Sequence, residues 1–161
     1  MSWCVAPFAL NDTSRKLLHN LKFHGQLAVA DYFAKEIVDC LPVFGNIDLV
    51  TWVPLSLQRH RERGYSQSHR MAKGVAKSLG LPCVKLLHKA RHTEKQSMAK
   101  DVAERQRNVQ GVYRVVGDGM IGKRVLLIDD VWTSGATMRE CCGVLRAAGT
   151  VEVCGAVAIG V

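Results

Sequence analysis

The sequence predicts an α/β fold with a central, mostly parallel sheet flanked by helices, and three observations carry that prediction. Apolar strand-like runs alternate with helical patterns, the order that a parallel sheet covered on both faces requires. Val125-Leu126-Leu127-Ile128 is a short apolar strand that ends at two carboxylates, Asp129 and Asp130. A loop of small and hydroxylated residues follows, and then a helical pattern from Met138 to Ala148. A strand end aimed at a helix N-terminus is where open α/β sheets hold ligands.

The elements follow in order from local chemistry, and the length suits one domain over residues 1–161. Asn11-Asp12-Thr13-Ser14 supplies helix caps, and Leu17, Leu18, Leu21 and Lys22-Phe23 form a stripe that stops near Gly25. Leu27, Ala30, Ala34, Ile37, Val38 and Leu41 mark a second helix that ends before Pro42. Residues 47–53 read as the first core strand, closed by Pro54, and a basic loop covers 58–64. Met71, Val75 and Leu79 define a helix over 67–79, stopped by Gly80 and Pro82. Further strands of the parallel core are expected at 84–87, 112–116, 125–128 and 151–159. Residues 89–108 are polar and basic and read as a flexible lid or hood, with a short helix around 98–107.

Composition narrows the function classes. The chain is 48% hydrophobic, but no apolar run approaches the roughly 18 residues of a membrane span. The N-terminus lacks the basic-then-apolar order of a secretory signal, so no membrane insertion and a cytoplasmic location are expected. The six cysteines form no Cys-x-x-Cys pair, which points to reduced thiols rather than a disulfide framework. The net charge is +8 and is uneven: residues 59–114 hold fourteen Lys or Arg against four acids. That basic stretch suits a polyphosphate, a nucleic-acid backbone or a plain solvated surface.

The segment after Ile128 suits a phosphorylated sugar. Gly135 and Ala136 let backbone N–H groups approach an anion closely, while Thr133, Ser134 and Thr137 add hydroxyls beside Val131 and Trp132. The helix dipole favours the anion. Asp129 and Asp130 suit sugar hydroxyls, a Mg²⁺ ion or both. Lying beside a helix N-terminus, both acids are expected to be ionised at neutral pH. Arg59, Arg61 and Arg63 offer planar, permanently charged forks in a loop closed by Gly64, a chemistry that can wrap pyrophosphate. A solvated charge run and a capped helix are the plainer readings of the same residues.

Residues 125–137 resemble the 5-phosphoribosyl-1-pyrophosphate (PRPP) signature of type I phosphoribosyltransferases. Three further stretches make the chain similar to the ComF family: Val53-Pro54-Leu55 with Arg59 to Gln67, Thr93-Glu94-Lys95-Gln96, and Arg107-Asn108 before Tyr113. The Lys22-Phe23 helix end also resembles that family. Ser66 stands where the family usually has Asn, and the cysteine-rich zinc module that often opens family members is absent from this sequence.

The resemblance implies a type I phosphoribosyltransferase-like fold and a set of roles. Asp129 and Asp130 become catalytic residues that face the ribose and hold Mg²⁺ directly or through ribose or water. The loop Val131, Thr133, Ser134, Gly135, Ala136 and Thr137 takes the 5-phosphate, and Leu55, Arg61 and Arg63 take the pyrophosphate. It also implies a part in DNA uptake during natural transformation, with single-stranded DNA and a helicase-like protein as partners. The alternatives are a non-catalytic PRPP-binding protein that handles single-stranded DNA, and a PRPP-sensing regulator.

Overall fold

The computed structural model describes residues 1–23, 25–42, 46–90 and 111–161. The lid and short helix expected within 89–108 lie outside the described residues, apart from Lys89 and Ala90 at the edge. In chain order the elements are β1 (Cys4–Val5), β2 (Phe8–Ala9), α1 (Asp12–Phe23), α2 (Leu27–Asp39), β3 (Leu49–Trp52), α3 (Leu57–Arg63) and α4 (Gln67–Leu79). Then come β4 (Leu87–Lys89), β5 (Tyr113–Val115), β6 (Arg124–Trp132), α5 (Ala136–Ala147) and β7 (Glu152–Gly160).

The main sheet is parallel in the order β1-β7-β6-β3, with β2 also paired to β7. Its centre is the pair β6 and β7, nine residues each, in a register that sets Leu126 against Cys154 and Ile128 against Ala156. Side chains alternate across a strand, so each strand serves two cores. Leu126, Ile128, Ala156 and Ala158 face Phe33 and Ile37 of α2 and Met71 and Val75 of α4. Val125, Leu127, Val153 and Val157 face Met138, Cys141 and Leu145 of α5. Helices α2 and α4 pack tightly, because a Cβ added at Gly74 would lie 2.7 Å from the Ala34 Cβ. No helix among the described residues is long and apolar enough to cross a membrane.

Caps fix the helix starts. The Asn11 Oδ1 accepts from the Ser14 N–H, and the Ser14 Oγ accepts from the Asn11 N–H, each at 2.9 Å. Ser66 caps α4, its Oγ accepting from the His69 N–H at 3.3 Å. A serine does this work as well as the asparagine expected from the family resemblance.

Three expectations are corrected. The strands at 84–87 and 112–116 do not join the parallel core. Instead β4 and β5 form a separate antiparallel ribbon, with Leu87 opposite Val115 and Lys89 opposite Tyr113. The chain touches the sheet edge just before this ribbon, in an isolated bridge of Cys83 to Val50 made by hydrogen bonds from the Val50 N–H to the Pro82 carbonyl and from the Val84 N–H to the Val50 carbonyl. Leu86, Leu87, Val112 and Tyr113 are nonetheless buried, in the core beneath α5. A short apolar run reports burial; it does not name the strand's partner.

The basic stretch at 58–64 is a helix, not a loop. Ser56 caps α3 by accepting from the Arg59 N–H, and Gly64 ends it at φ 76°, its N–H donating to the His60 carbonyl. Strand β6, expected to stop at Ile128, continues through both acids to Trp132, because β7 runs beside it and pairs Asp129 with Val157 and Val131 with Ile159. The N-terminal strands β1 and β2 were not expected, being too short to show periodicity.

Candidate functional site

A cleft of about 480 Å³ opens where β3 and β6 end. Val53 and Pro54 lie at the end of β3, and Asp129 and Asp130 lie on β6. Lys22 and Leu18 of α1 form one wall, and Leu55, Ser56, Arg59 and Arg63 form a second. Lys89, Tyr113, Thr133 and Thr137 complete it. Cations thus surround two acids and a hydroxyl-bearing loop.

Consecutive strand residues leave on opposite faces, so the two acids meet different surroundings. Asp129 is buried. Its Oδ1 accepts from the Ser68 Oγ at 3.0 Å and from the Asp130 N–H at 2.9 Å. Burial pushes its pKa up to about 7, and the neighbouring Asp130 charge adds to the rise. The hydrogen bonds from Asp130 and Ser68 and the charge of Lys22 act the other way without cancelling it. For Asp129 the expectation of full ionisation at neutral pH is therefore corrected, because desolvation dominates. Asp130 pairs with Lys22 instead, Oδ2 to Nζ at 2.6 Å.

The loop after β6 is shaped by its own contacts. Gly135 sits at φ 70°, and a Cβ there would fall 2.4 Å from the Trp132 ring and 2.8 Å from an Arg139 nitrogen. Both the backbone conformation and the lack of space require glycine. The Arg139 guanidinium lies 5.8 Å from the Trp132 ring centre and donates to the Ser134 carbonyl. Ser134 Oγ accepts from the Ala136 N–H at 3.4 Å. Ser134, Gly135 and Ala136 therefore shape the turn, while Val131, Thr133 and Thr137 line the cleft. The first-turn amides of α5 have no intrahelical acceptor and suit an anion.

Helix α3 sorts the arginines. Arg59 and Arg63, four residues apart, share a face and line the cleft. Arg61 falls on the exposed side and is not brought to the site. Arg63 donates to the Gln67 Oε1 at 3.1 Å and lies 5.3 Å from the Phe23 ring centre. Leu55 lines the cleft beside them.

Among the cleft residues that escaped the sequence reading of the site are Lys22, Ser68, Lys89 and Tyr113. Burial lowers the Lys89 pKa to about 8, with Arg59 contributing, and its ammonium lies 5.6 Å from the Tyr113 ring centre. Tyr113 is buried, its hydroxyl hydrogen-bonded to Thr137 and its pKa raised by burial. The helix end at Lys22-Phe23 carried a family signal. Tyr113 followed the Arg107-Asn108 pair in another, and nothing local marked Ser68 or Lys89, which the fold brings in from separate segments.

Among the described residues no group of three or more His, Cys, Asp or Glu side chains could hold a metal ion by itself. The hard carboxylate oxygens of Asp129 and Asp130, in a cleft also lined by Arg59, Arg63, Lys22 and Lys89, fit the usual Mg²⁺ mode, in which one or two carboxylates share the ion with ligand phosphates and water.

The architecture is shared with known proteins. The structure superposes on glutamine PRPP amidotransferase from B. subtilis with a TM-score of 0.56 and 28% identity, over 80% of this chain and 25% of that one. On adenine phosphoribosyltransferase from Thermoanaerobacter pseudethanolicus the TM-score is 0.53 at 11% identity, over 86% and 83% of the chains. The fold is that of the type I phosphoribosyltransferases. In sequence, the chain is 28% identical over 148 residues to Competence protein ComFC of Streptococcus pneumoniae, spanning 92% of this chain and 64% of that protein. No family model matches. The chain is thus similar in sequence to ComF competence proteins and phosphoribosyltransferase-like in fold, and it spans less than two thirds of the length of the curated relatives it matches.

Proposed function

We propose that the cleft binds PRPP with Mg²⁺ and that the protein transfers the phosphoribosyl group to a nitrogen nucleophile. The observation that carries this reading is the meeting, in one cleft, of the β6 acid pair, the amide-and-hydroxyl loop before α5 and the cationic face of α3. In this reading the 5-phosphate sits on the loop from Thr133 to Thr137, and the acids receive the ribose hydroxyls. The pyrophosphate lies against Arg59, Arg63 and Lys89, above Leu55.

Transfer breaks the bond from ribose C1 to the pyrophosphate oxygen as the acceptor nitrogen bonds to C1, so positive charge grows on the sugar and negative charge on the leaving group. The Asp129 carboxylate offsets the first, and the arginines and Lys89 offset the second. Anchoring the 5-phosphate fixes C1 relative to both. Mg²⁺, bound with the phosphates, would neutralise further charge on the departing pyrophosphate. The test is pyrophosphate release from PRPP and Mg²⁺ across a panel of nitrogenous bases and amines. Turnover lost in Asp130→Asn supports transfer; PRPP binding with no turnover on any acceptor would leave a PRPP-binding protein.

A second reading is a PRPP-binding protein that handles single-stranded DNA in competence. A separate groove of about 510 Å³ between α2 and α4, lined by Lys35, Lys73 and Lys77, favours it, as do the competence names of the relatives. Oligonucleotide anisotropy should then weaken steeply with salt through counterion release, and charge reversal at Lys73 and Lys77 should lower affinity while sparing PRPP. Absence of binding at low salt removes this reading.

A further inference from the structure

The C-terminal turn of α1 touches both halves of the proposed ligand site. Lys22 Nζ lies 2.6 Å from Asp130 Oδ2, with side chains 22% and 18% exposed. The next residue, Phe23, packs 5.3 Å from the Arg63 guanidinium. The helix is anchored: Leu21 is fully buried, and Leu17 and Leu18 pack against the core beneath α2 and α4. The ammonium therefore reaches the carboxylate from a fixed helix rather than a free loop.

A carboxylate in contact with an ammonium is a poor ligand for a divalent cation. Direct coordination would crowd positive charges into a partly desolvated cleft. A polyphosphate changes the balance by offering the ammonium another anion, and the flexible lysine stem with three donors can exchange partners without moving the helix. We propose that Lys22 is a positioning residue that serves as an exchangeable counter-ion of Asp130. It holds the carboxylate while the cleft has no ligand and passes to a phosphate oxygen on binding, so that Mg²⁺ and PRPP bind as a pair rather than metal first. This inference rests on the PRPP reading above.

Calorimetry of Mg²⁺ alone, PRPP alone and the two together separates the claims, with wild type, Lys22→Met, Lys22→Gln and Lys22→Arg compared after a thermal melt confirms each fold. In the two neutral variants Mg²⁺ alone should bind about tenfold tighter, and the enhancement of its affinity by PRPP should fall by a similar factor. Lys22→Arg, which keeps the charge, should retain the wild-type coupling. Unchanged affinity for Mg²⁺ alone in the neutral variants, or a Lys22→Arg variant that behaves like Lys22→Met, overturns the counter-ion role. Failure of wild type to bind PRPP overturns the functional reading, and the arm with Mg²⁺ alone still decides what Lys22 does at Asp130.

Discussion

Replacing Asp129 by asparagine is expected to stabilise the folded protein at alkaline pH while weakening its hold on PRPP. The carboxyl is buried, and its pKa rises from 3.8 to about 7 chiefly through desolvation. Because the folded value lies above the unfolded one, the folded protein retains a proton that the unfolded chain has released between those two pH values. Stability therefore falls as pH rises through this window and reaches its lower plateau above about pH 7. At 1.36 kcal/mol per pH unit, the interval from 3.8 to about 7 corresponds to a cost of about 4 kcal/mol for the charged form. An asparagine oxygen can still accept from Ser68 and from the Asp130 N–H, but it brings no charge to desolvate. Urea denaturation over a pH series reads the result. The gain over wild type should be about 2–4 kcal/mol at pH 8.5 and shrink below about 1 kcal/mol at pH 4. A variant no more stable than wild type at pH 8.5, or a difference that does not change with pH, would refute the reasoning. Such a trade of stability for function is expected where a site must bury charge.

Other positions give sharp expectations. Gly135→Val should cost roughly 2 kcal/mol or more, through its positive φ and its clash with Trp132, and should abolish anion binding at the loop; melting and phosphate titration check both. Gly74→Ala should destabilise by about 1–2 kcal/mol in spite of alanine's better helix propensity, because the added methyl meets Ala34; denaturant unfolding tests the sign. PRPP affinity should be greatest between about pH 7, where Asp129 ionises, and about pH 8, where Lys89 loses its proton, and Lys89→Met should remove the alkaline limb of the calorimetric profile. Arg61→Ala should leave PRPP affinity within about twofold, whereas Arg63→Ala should lower it by about tenfold or more, since helix α3 turns only the second into the cleft.

What the sequence disclosed was local. The acid pair, the small-residue loop and the helix behind them follow one another within a dozen or so residues, so their chemistry could be read in order. The central strands β6 and β7 and the helices α1, α2, α4 and α5 were legible because each carries a continuous apolar pattern or a cap. What depended on distant partners was not legible. Ser68 meets Asp129 across 61 residues of chain, and Tyr113 meets Thr137 only because β5 packs beneath α5. The apolar runs at 84–87 and 112–116 announced burial but not their antiparallel partnership. The sorting of Arg61 from Arg59 and Arg63 required knowing that the basic stretch is a helix. The raised Asp129 pKa required knowing that the carboxyl is buried, which a strand end next to a polar loop does not reveal.

The central claim is that this cleft is a PRPP site anchored at the loop before α5. Isothermal titration of PRPP with Mg²⁺ into wild type and into Thr133→Val and Asp130→Asn tests it most directly. The account predicts one PRPP per chain, competition by ribose 5-phosphate and by pyrophosphate separately, and at least about tenfold weaker binding in each variant. Binding that neither competitor displaces and neither substitution weakens would contradict it, as would the absence of PRPP binding to the folded wild-type protein.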